Sequence, residues 1–154
     1  MKKVFGLTLV FLMADIIIKQ LVISTMALNS KITVINSFFS IWYVKNSGAA
    51  FGMLENWRLL LILFALAVIY LIIKMLKKEK RFTIVNTLLY AMMLAGIIGN
   101  LIDRLIYHAV IDYLSFNLAG FQFAVFNLAD FYIVSAIIIY LIFSLFQKEV
   151  FHYE

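Results

Sequence analysis

The chain has 154 residues, of which 66% are hydrophobic and 14% are charged, and its mean hydropathy is +1.05. A soluble domain of this size would lack the polar side chains needed to cover its surface, so the composition predicts an integral membrane protein. The chain has no cysteine, which excludes disulfides, a thiol nucleophile and a thiolate metal site. The net charge of +5 could indicate nucleic-acid binding. The basic residues cluster at the ends of apolar runs, however, so membrane lipid is the expected partner and nucleic acid is not.

Four apolar runs each have about the 20 residues that a helix needs to cross a bilayer. They cover residues 4–24, 57–76, 83–103 and 128–147. Four crossings place both termini on one side of the membrane and the loops 25–56 and 104–127 on the other. The sequence therefore predicts an all-α membrane protein, a four-transmembrane-helix bundle that forms a single domain over residues 1–154.

Basic residues are distributed unevenly between the two sides of this bundle. The side of the termini carries eight of them: Lys2, Lys3, Lys74, Lys77, Lys78, Lys80, Arg81 and Lys148. The side of the two long loops carries four: Lys31, Lys45, Arg58 and Arg104. Because cytoplasmic loops of membrane proteins are enriched in lysine and arginine, both termini are expected in the cytoplasm and both long loops outside.

The first apolar run also has features of a cleaved signal peptide, since two lysines precede it. Cleavage after Ala14 would place Leu12 where a small residue is required, and the apolar run continues beyond Lys19, so we expect this segment to be retained. Asp15 and Lys19 are four positions apart and therefore share one face of a helix. Such an ion pair should face other helices, as a packing pair in preference to a proton relay.

The first outer loop is rich in β-branched and aromatic residues over 31–45, which predicts one or two short strands near the membrane interface. A stretch of small residues, 46–52, follows these strands. Its Asn46 offers an amide to a bound peptide, although a simple turn explains the stretch equally well. The second outer loop, 105–126, is also rich in β-forming residues.

The third apolar run ends in a strip of polar residues. Gly96, Asn100, Asp103 and Arg104 lie along one stripe of a helix, and glycine lets a neighbouring helix come close. If Arg104 extends to lipid headgroups, the strip is only an interfacial cap. Asn100 and Asp103 are too short to extend in this way, which favours a buried polar site.

Asp112 and Asp130 each stand in an apolar region near the outer ends of the spans, 18 positions apart. Apolar surroundings disfavour a charged carboxylate, so two that meet there indicate a pair that holds and activates one water. Asp130 and Asn127 open the fourth span, where the helix dipole favours an ionised Asp130 and leaves Asp112 to hold the shared proton. Taken singly, Asp130 is equally well explained as a helix cap, and Asp112 as a loop residue bound to backbone amides.

Five motifs, considered together, resemble the lipoprotein signal peptidase (signal peptidase II) family. In chain order they are Asp15-x-x-x-Lys19, Asn46-x-Gly48-Ala49-Ala50-Phe51, Gly99-Asn100-Leu101-Ile102-Asp103-Arg104, Val110-x-Asp112 and Phe126-Asn127-x-Ala129-Asp130. Each motif is weak by itself, but their order and their placement on four spans make the set specific.

The resemblance implies an aspartic endopeptidase of the bacterial inner membrane. Its substrates would be prolipoproteins, cut on the N-terminal side of a cysteine that carries diacylglycerol. The resemblance implies Asp112 and Asp130 as the catalytic dyad at the outer face, and globomycin as an inhibitor that occupies the dyad region. It also implies an extracytoplasmic β-cradle within loop 31–51.

Further residues take roles from the same resemblance. The substrate-binding set comprises Asn46, Gly48, Asn100, Arg104 and Asn127. Asp15, Lys19 and Asp103 would support the fold or the site. No cofactor or metal is expected, because the two histidines of the chain lie on opposite sides of the membrane in the predicted topology.

Three positions depart from the family's pattern. Ala95 occupies the first position of a paired glycine, Tyr113 stands in place of phenylalanine, and Ile16 stands in place of glutamine. Ala95 remains small and Tyr113 remains aromatic, so both keep the character of the family's residue. Ile16 removes a polar side chain and leaves the role of the first span less certain.

A small transporter subunit is the alternative function, with Asp15, Asp112 and Asp130 passing protons or cations. Transport needs acidic groups along a path, whereas Asp112 and Asp130 are predicted at the same outer level. A protease that cuts within a span would need its carboxylates at mid-bilayer depth. The sequence therefore favours the signal peptidase.

Overall fold

The computed structural model describes residues 1–48, 54, 55 and 57–146. It contains four long helices: α1 (Lys2–Thr25), α2 (Arg58–Lys78), α3 (Ile84–Ile106) and α4 (Leu128–Leu145). All four are long and apolar enough to cross a membrane, and each begins and ends within three residues of a predicted span. The predicted four-helix membrane fold is therefore confirmed. Ala49, Ala50 and Phe51 of the second motif lie outside the described residues, as do residue 147 of the fourth span and the tail 148–154.

The two long loops together form one antiparallel sheet. Its strands β1 (Lys31–Ile35), β2 (Phe39–Asn46), β3 (Val110–Leu118) and β4 (Phe121–Gln122) are hydrogen-bonded in this order. The sheet is thus larger than the cradle expected within loop 31–51, because β3 and β4 come from the second loop. A single hairpin has little stability in water, and β3 supplies the third strand that β1 and β2 need.

The helix α3 lies at the centre of the bundle and packs against α1, α2 and α4. Two of its glycines permit this close packing. A Cβ atom on Gly96 would collide with the backbone oxygen of Ala129 in α4, and one on Gly99 would lie 2.5 Å from Asp15 Oδ2 in α1. The approach of α1 and α4 to α3 therefore depends on the absence of side chains at these two positions.

The two ends of the bundle differ in chemistry. At one end, Lys77 and Lys78 in the last turn of α2 and Lys80 and Arg81 in the link to α3 together form a basic turn. At the other end, α1 and α3 finish, α4 begins, and the sheet packs on them through a buried cluster of Val22, Tyr43, Ile111 and Tyr113. The sheet and the predicted site residues of α3 and α4 therefore lie at the end opposite the basic turn.

Candidate active site

Asp130 lies in the first turn of α4 and forms a reciprocal cap with Asn127. The backbone N–H of Asp130 donates to Asn127 Oδ1 at 2.9 Å, and the backbone N–H of Asn127 donates to Asp130 Oδ2 at 3.2 Å. Asp130 Oδ1 is left for another partner and accepts a hydrogen bond from Asn100 Nδ2 of α3 at 2.7 Å. The capping alternative is thus correct for one oxygen of Asp130, while the other oxygen contacts the polar strip of α3.

Side chains from two other elements bind the remaining N–H groups at the start of α4. The backbone N–H of Leu128 donates to Tyr113 Oη of β3 at 3.2 Å, and that of Ala129 donates to Asp15 Oδ1 of α1 at 3.0 Å. Burial raises the pKa of Tyr113, so this hydroxyl stays neutral. These bonds tie the helix that carries Asp130 to β3 and α1.

Asp112 is buried on β3 and is bound by two side-chain amides. Its Oδ1 accepts a hydrogen bond from Asn127 Nδ2 at 2.7 Å, and its Oδ2 accepts one from Asn46 Nδ2 at 3.1 Å. Asn46 is itself oriented by the backbone N–H of Gly48, which donates to Asn46 Oδ1 at 3.0 Å. Asp112 is therefore a strand residue with side-chain partners, in contrast to the loop residue bound to backbone amides that was the alternative.

The Asp112 carboxyl group titrates near neutral pH. Burial, and to a lesser extent the charge of Asp130, raises the pKa of Asp112 to about 7, against the lowering effect of its two amide partners. At neutral pH both its protonated and its ionised forms are populated. A group of this kind can donate a proton to a bound molecule and recover it later.

A buried ion cluster lies behind these carboxylates. Lys19 Nζ lies 2.8 Å from Asp15 Oδ2 and 2.8 Å from Asp103 Oδ2, and it donates to Asn100 Oδ1 at 3.1 Å. Asp103 Oδ2 also accepts a hydrogen bond from the backbone N–H of Ile111 in β3 at 3.1 Å. The predicted ion pair of Asp15 and Lys19 thus forms, and the cluster joins α1 to α3 and to the sheet.

Arg104 contacts the protein at the end of α3. Its Nη2 donates to the carbonyl oxygen of Gly48 at 3.1 Å, and its Nη1 donates to the carbonyl oxygen of Asn100 at 3.2 Å. The alternative in which Arg104 merely extends to lipid headgroups does not describe this geometry. Arg104 instead ties the segment after β2 to the polar strip of α3.

A cavity of about 430 Å³ opens beside these groups. Its polar wall comprises Asn46, Gly48, Asn100, Arg104, Asp112 and Asp130. The other predicted site residues lie behind this wall. Asn127 is fully buried and contacts Asp112 and Asn100, and the three members of the ion cluster contact Asn100, β3 and the start of α4.

The rest of the cavity lining is an apolar wall, which the sequence did not indicate. It is formed by Val110, Phe123, Ala124, Val125, Phe126, Phe131, Ile133 and Val134. The segment 123–126 precedes α4, and its apolar residues by themselves indicate only a tendency to form a strand. One sequence signal could have indicated a binding wall. It is a run of apolar residues that lies between a strand and a helix, where the helix carries a carboxylate.

Comparison with known proteins identifies the family of the chain. A family model described as signal peptidase (SPase) II matches residues 7–146. The chain belongs to the signal peptidase II family. A lipoprotein signal peptidase from Symbiobacterium thermophilum is 39% identical over 125 residues, covering 80% of this chain and 82% of the relative. One from Halothermothrix orenii is 36% identical over 146 residues, covering 95% of this chain and 97% of the relative.

Two solved structures described as bacterial membrane enzymes have the same fold as this signal peptidase II family member. Their TM-scores are 0.84 and 0.82, at 24% and 23% sequence identity. The alignments cover 100% and 92% of this chain, and 96% and 92% of the two solved chains. Family membership and the four apolar helices together make the chain a membrane peptidase with several spans.

Proposed function

We propose that this chain, residues 1–154 acting as one peptidase domain, is an aspartic endopeptidase in which Asp112 and Asp130 activate a water. Its substrates are prolipoproteins, and it cuts them on the N-terminal side of the diacylglyceryl-modified cysteine. The observation that carries the proposal is that both carboxylates line one cavity and are linked through the amides of Asn127 and Asn100. Relatives that match most of the chain are lipoprotein signal peptidases, which supports this choice of substrate.

The proposed mechanism assigns different roles to the two carboxylates. Asp130 is the base, because it lies at the positive end of a helix dipole and accepts a hydrogen bond from a backbone N–H of the same helix start. It takes a proton from the water as the water oxygen attacks the scissile carbonyl carbon. Protonated Asp112 donates to the carbonyl oxygen and stabilises the tetrahedral intermediate. The C–N bond then breaks: the proton taken up by Asp130 passes to the leaving amine, and Asp112 takes its proton back from a hydroxyl of the intermediate as the carboxylic acid product forms.

The two walls of the cavity fit the two parts of this substrate. The polar wall, with Asn46, Gly48, Asn100 and Arg104, offers donors and acceptors for an extended peptide, and Asn127 supports it from behind. The apolar wall suits the acyl chains attached to the cysteine, which remain in contact with membrane lipid. Globomycin is proposed to inhibit by occupying the same cavity.

The different chemistry of the two ends of the bundle supports a membrane orientation. The basic turn between α2 and α3 lies opposite the sheet and the cavity, and lysine and arginine favour the cytoplasmic side. We therefore place both termini in the cytoplasm of a bacterial cell and the cavity at the outer face of its inner membrane. In this position the scissile bond reaches water while the lipid anchor stays in the bilayer.

The two alternatives fit the geometry less well. A transporter needs Asp15 on a path with the two other aspartates, but Asp15 is buried against Lys19 and the backbone N–H of Ala129. A protease that cuts within a span needs carboxylates at mid-helix. Asp130 is in the first turn of α4 and Asp112 is on β3.

Single Asp112→Asn and Asp130→Asn variants test the dyad. Each is expected to lower the rate of signal-peptide release from a diacylglyceryl-modified precursor by about a thousandfold or more, because catalytic groups that act as a unit fail together. Glu55→Gln is the matched control, since it removes an exposed carboxylate of the first outer loop and should leave the rate unchanged. A folded Asp112→Asn or Asp130→Asn variant that processes the precursor at the wild-type rate, with globomycin inhibition intact, would refute the dyad.

A further inference from the structure

The side-chain amide of Asn100 lies between the buried ion cluster and Asp130. Its Oδ1 accepts hydrogen bonds from Lys19 Nζ at 3.1 Å and from Asn127 Nδ2 at 3.2 Å. Its Nδ2 donates to Asp130 Oδ1 at 2.7 Å. The direction of this amide therefore determines whether Asp130 meets a donor or an acceptor.

The partners of Asn100 permit only one direction. The ammonium of Lys19 has donors and no acceptor, so it must face an oxygen. Asn127 is oriented by the backbone N–H of Asp130, which donates to Asn127 Oδ1, so its Nδ2 must also face an oxygen. A reversed Asn100 would turn its NH₂ group toward these two donors and its oxygen toward the Asp130 carboxylate. Both contacts would be repulsive.

We propose that Lys19 is a positioning residue of the peptidase: it holds the Asn100 amide toward Asp130 and thereby keeps Asp130 ionised as the base. This inference rests on the proposed function of Asp130. Lys19 is 1% exposed and is not among the residues that line the cavity, so it acts through Asn100 and not on the substrate.

The charges around the site favour an effect through hydrogen bonding. Lys19 and Asp15 of α1, Asp103 and Arg104 of α3, and Asp112 of β3 face this region, together with Asp130 of α4. The charge of Lys19 is offset by its two carboxylate partners, which weakens its direct attraction for the Asp130 carboxylate. The direction of the Asn100 amide is a separate contribution of Lys19.

The principal test is a double variant, Lys19→Met with Asp103→Asn, which removes the ammonium together with one of its carboxylate partners. Asp103→Asn alone is the matched control, because it leaves Lys19 bound to Asp15 and Asn100. The measurement is the pH dependence of kcat/KM for a diacylglyceryl-modified precursor. In the double variant the acid limb should move to higher pH by about one unit, since the ionised Asp130 has lost an oriented donor.

The split between kcat and KM separates positioning from a general loss of structure. The double variant should lower kcat about tenfold with KM nearly unchanged, while the control keeps the wild-type acid limb. A lower activity with an unshifted acid limb would mean that fewer molecules are folded, and it would overturn the proposal. Size-exclusion elution and helical circular dichroism in detergent report the folded fraction.

A second comparison applies if the double variant does not fold. Lys19→Gln retains donors for the ion cluster but can also accept a hydrogen bond, so only Asn127 still enforces the amide direction. It should shift the acid limb in the wild-type background and have no effect on it in an Asn100→Leu background, where there is no amide to orient. Equal shifts of the acid limb in both backgrounds would overturn the proposal. The absence of any folded Lys19 variant would also overturn it, because Lys19 would then have no role separable from folding.

These experiments distinguish a failure of the proposed function from a failure of the positioning role of Lys19. Wild-type activity of Asp112→Asn or Asp130→Asn would remove the dyad whatever Lys19 does. Inactive dyad variants combined with unshifted Lys19 variants would leave the peptidase mechanism in place and remove only the positioning role.

Discussion

At the scale of single residues, the two carboxylates differ in what holds them. Asp112 is buried on a strand and is bound by two side-chain amides. Asp130 is bound by one side-chain amide and by the backbone N–H of Asn127, at the start of a helix. Burial disfavours a charge on both carboxyl groups, and the aligned backbone dipoles at the start of α4 offset this effect at Asp130 only. This asymmetry supports the opposite roles proposed for the two acidic side chains.

The raised pKa of Asp112 predicts the alkaline side of the activity profile. If Asp112 must be protonated to donate to the scissile carbonyl, kcat/KM should fall by about tenfold per pH unit above its pKa of about 7. The measurement is precursor cleavage at low substrate concentration from pH 5 to pH 9. Full activity maintained to pH 9 would contradict the assignment of the proton to Asp112.

The raised pKa of Asp112 also predicts how the stability of the protein changes with pH, which can be measured without an activity assay. Between its ordinary pKa of 3.8 and about 7, Asp112 binds more protons in the folded protein than in the unfolded chain. Its contribution to stability is therefore greatest at low pH and declines as pH rises through this interval. Asp112→Asn cannot titrate, so its melting temperature should decline less between pH 5 and pH 8 than that of the wild type.

At the scale of elements, the site depends on how closely three helices approach one another. The start of α4 is bound by α1 and β3, and α3 contacts both α1 and α4 through glycine surfaces. Without side chains at Gly96 and Gly99, Asn100 comes within hydrogen-bonding distance of both Lys19 and Asp130. The close packing of the helices therefore also sets the distances between these polar groups.

Gly96→Ala is expected to destabilise the bundle, because the added Cβ would overlap the backbone oxygen of Ala129 and α4 cannot yield without disturbing its capped first turn. Overpacking of this kind costs about 1–3 kcal/mol, only partly offset by the better helix propensity of alanine. Gly6→Ala is the matched control, since no atom lies within 4 Å of its added Cβ. Thermal unfolding in detergent should show a melting temperature several degrees lower for Gly96→Ala only, and equal values would contradict the packing account.

Sequence patterns predicted the helices well and the sheet only in part. Apolar runs of span length are a strong local signal, and α1 to α4 follow them closely. Strand-forming residues indicate strands but do not select partners, so the pairing of Val44 with Asp112 across two distant loops could not be derived. Similarly, the sequence position of Asp130 fitted both a helix cap and a site residue. Only the structure shows that one oxygen of Asp130 caps the helix and the other binds the Asn100 amide.

At the scale of the whole molecule, the placement of the cavity relative to the membrane decides whether the proposed chemistry is possible. In the proposed function, the lipid-anchored precursor presents its cleavage site at the outer surface, so the cavity must face the same side. The structure places the sheet and the cavity at one end of the bundle and the basic turn at the other. Reversal of the molecule in the membrane would therefore leave the carboxylates without substrate.

Because the chain has no cysteine, single cysteines can report this orientation directly. Lys31→Cys on β1 and Lys78→Cys at the end of α2 are a matched pair of exposed lysine positions at opposite ends of the bundle. In intact spheroplasts a membrane-impermeant maleimide should label Lys31→Cys and leave Lys78→Cys unmodified, since basic turns stay in the cytoplasm. Both should react after the membrane is permeabilised, which controls for thiol reactivity. Labelling of Lys78→Cys alone before permeabilisation would place the cavity in the cytoplasm and exclude cleavage of exported precursors.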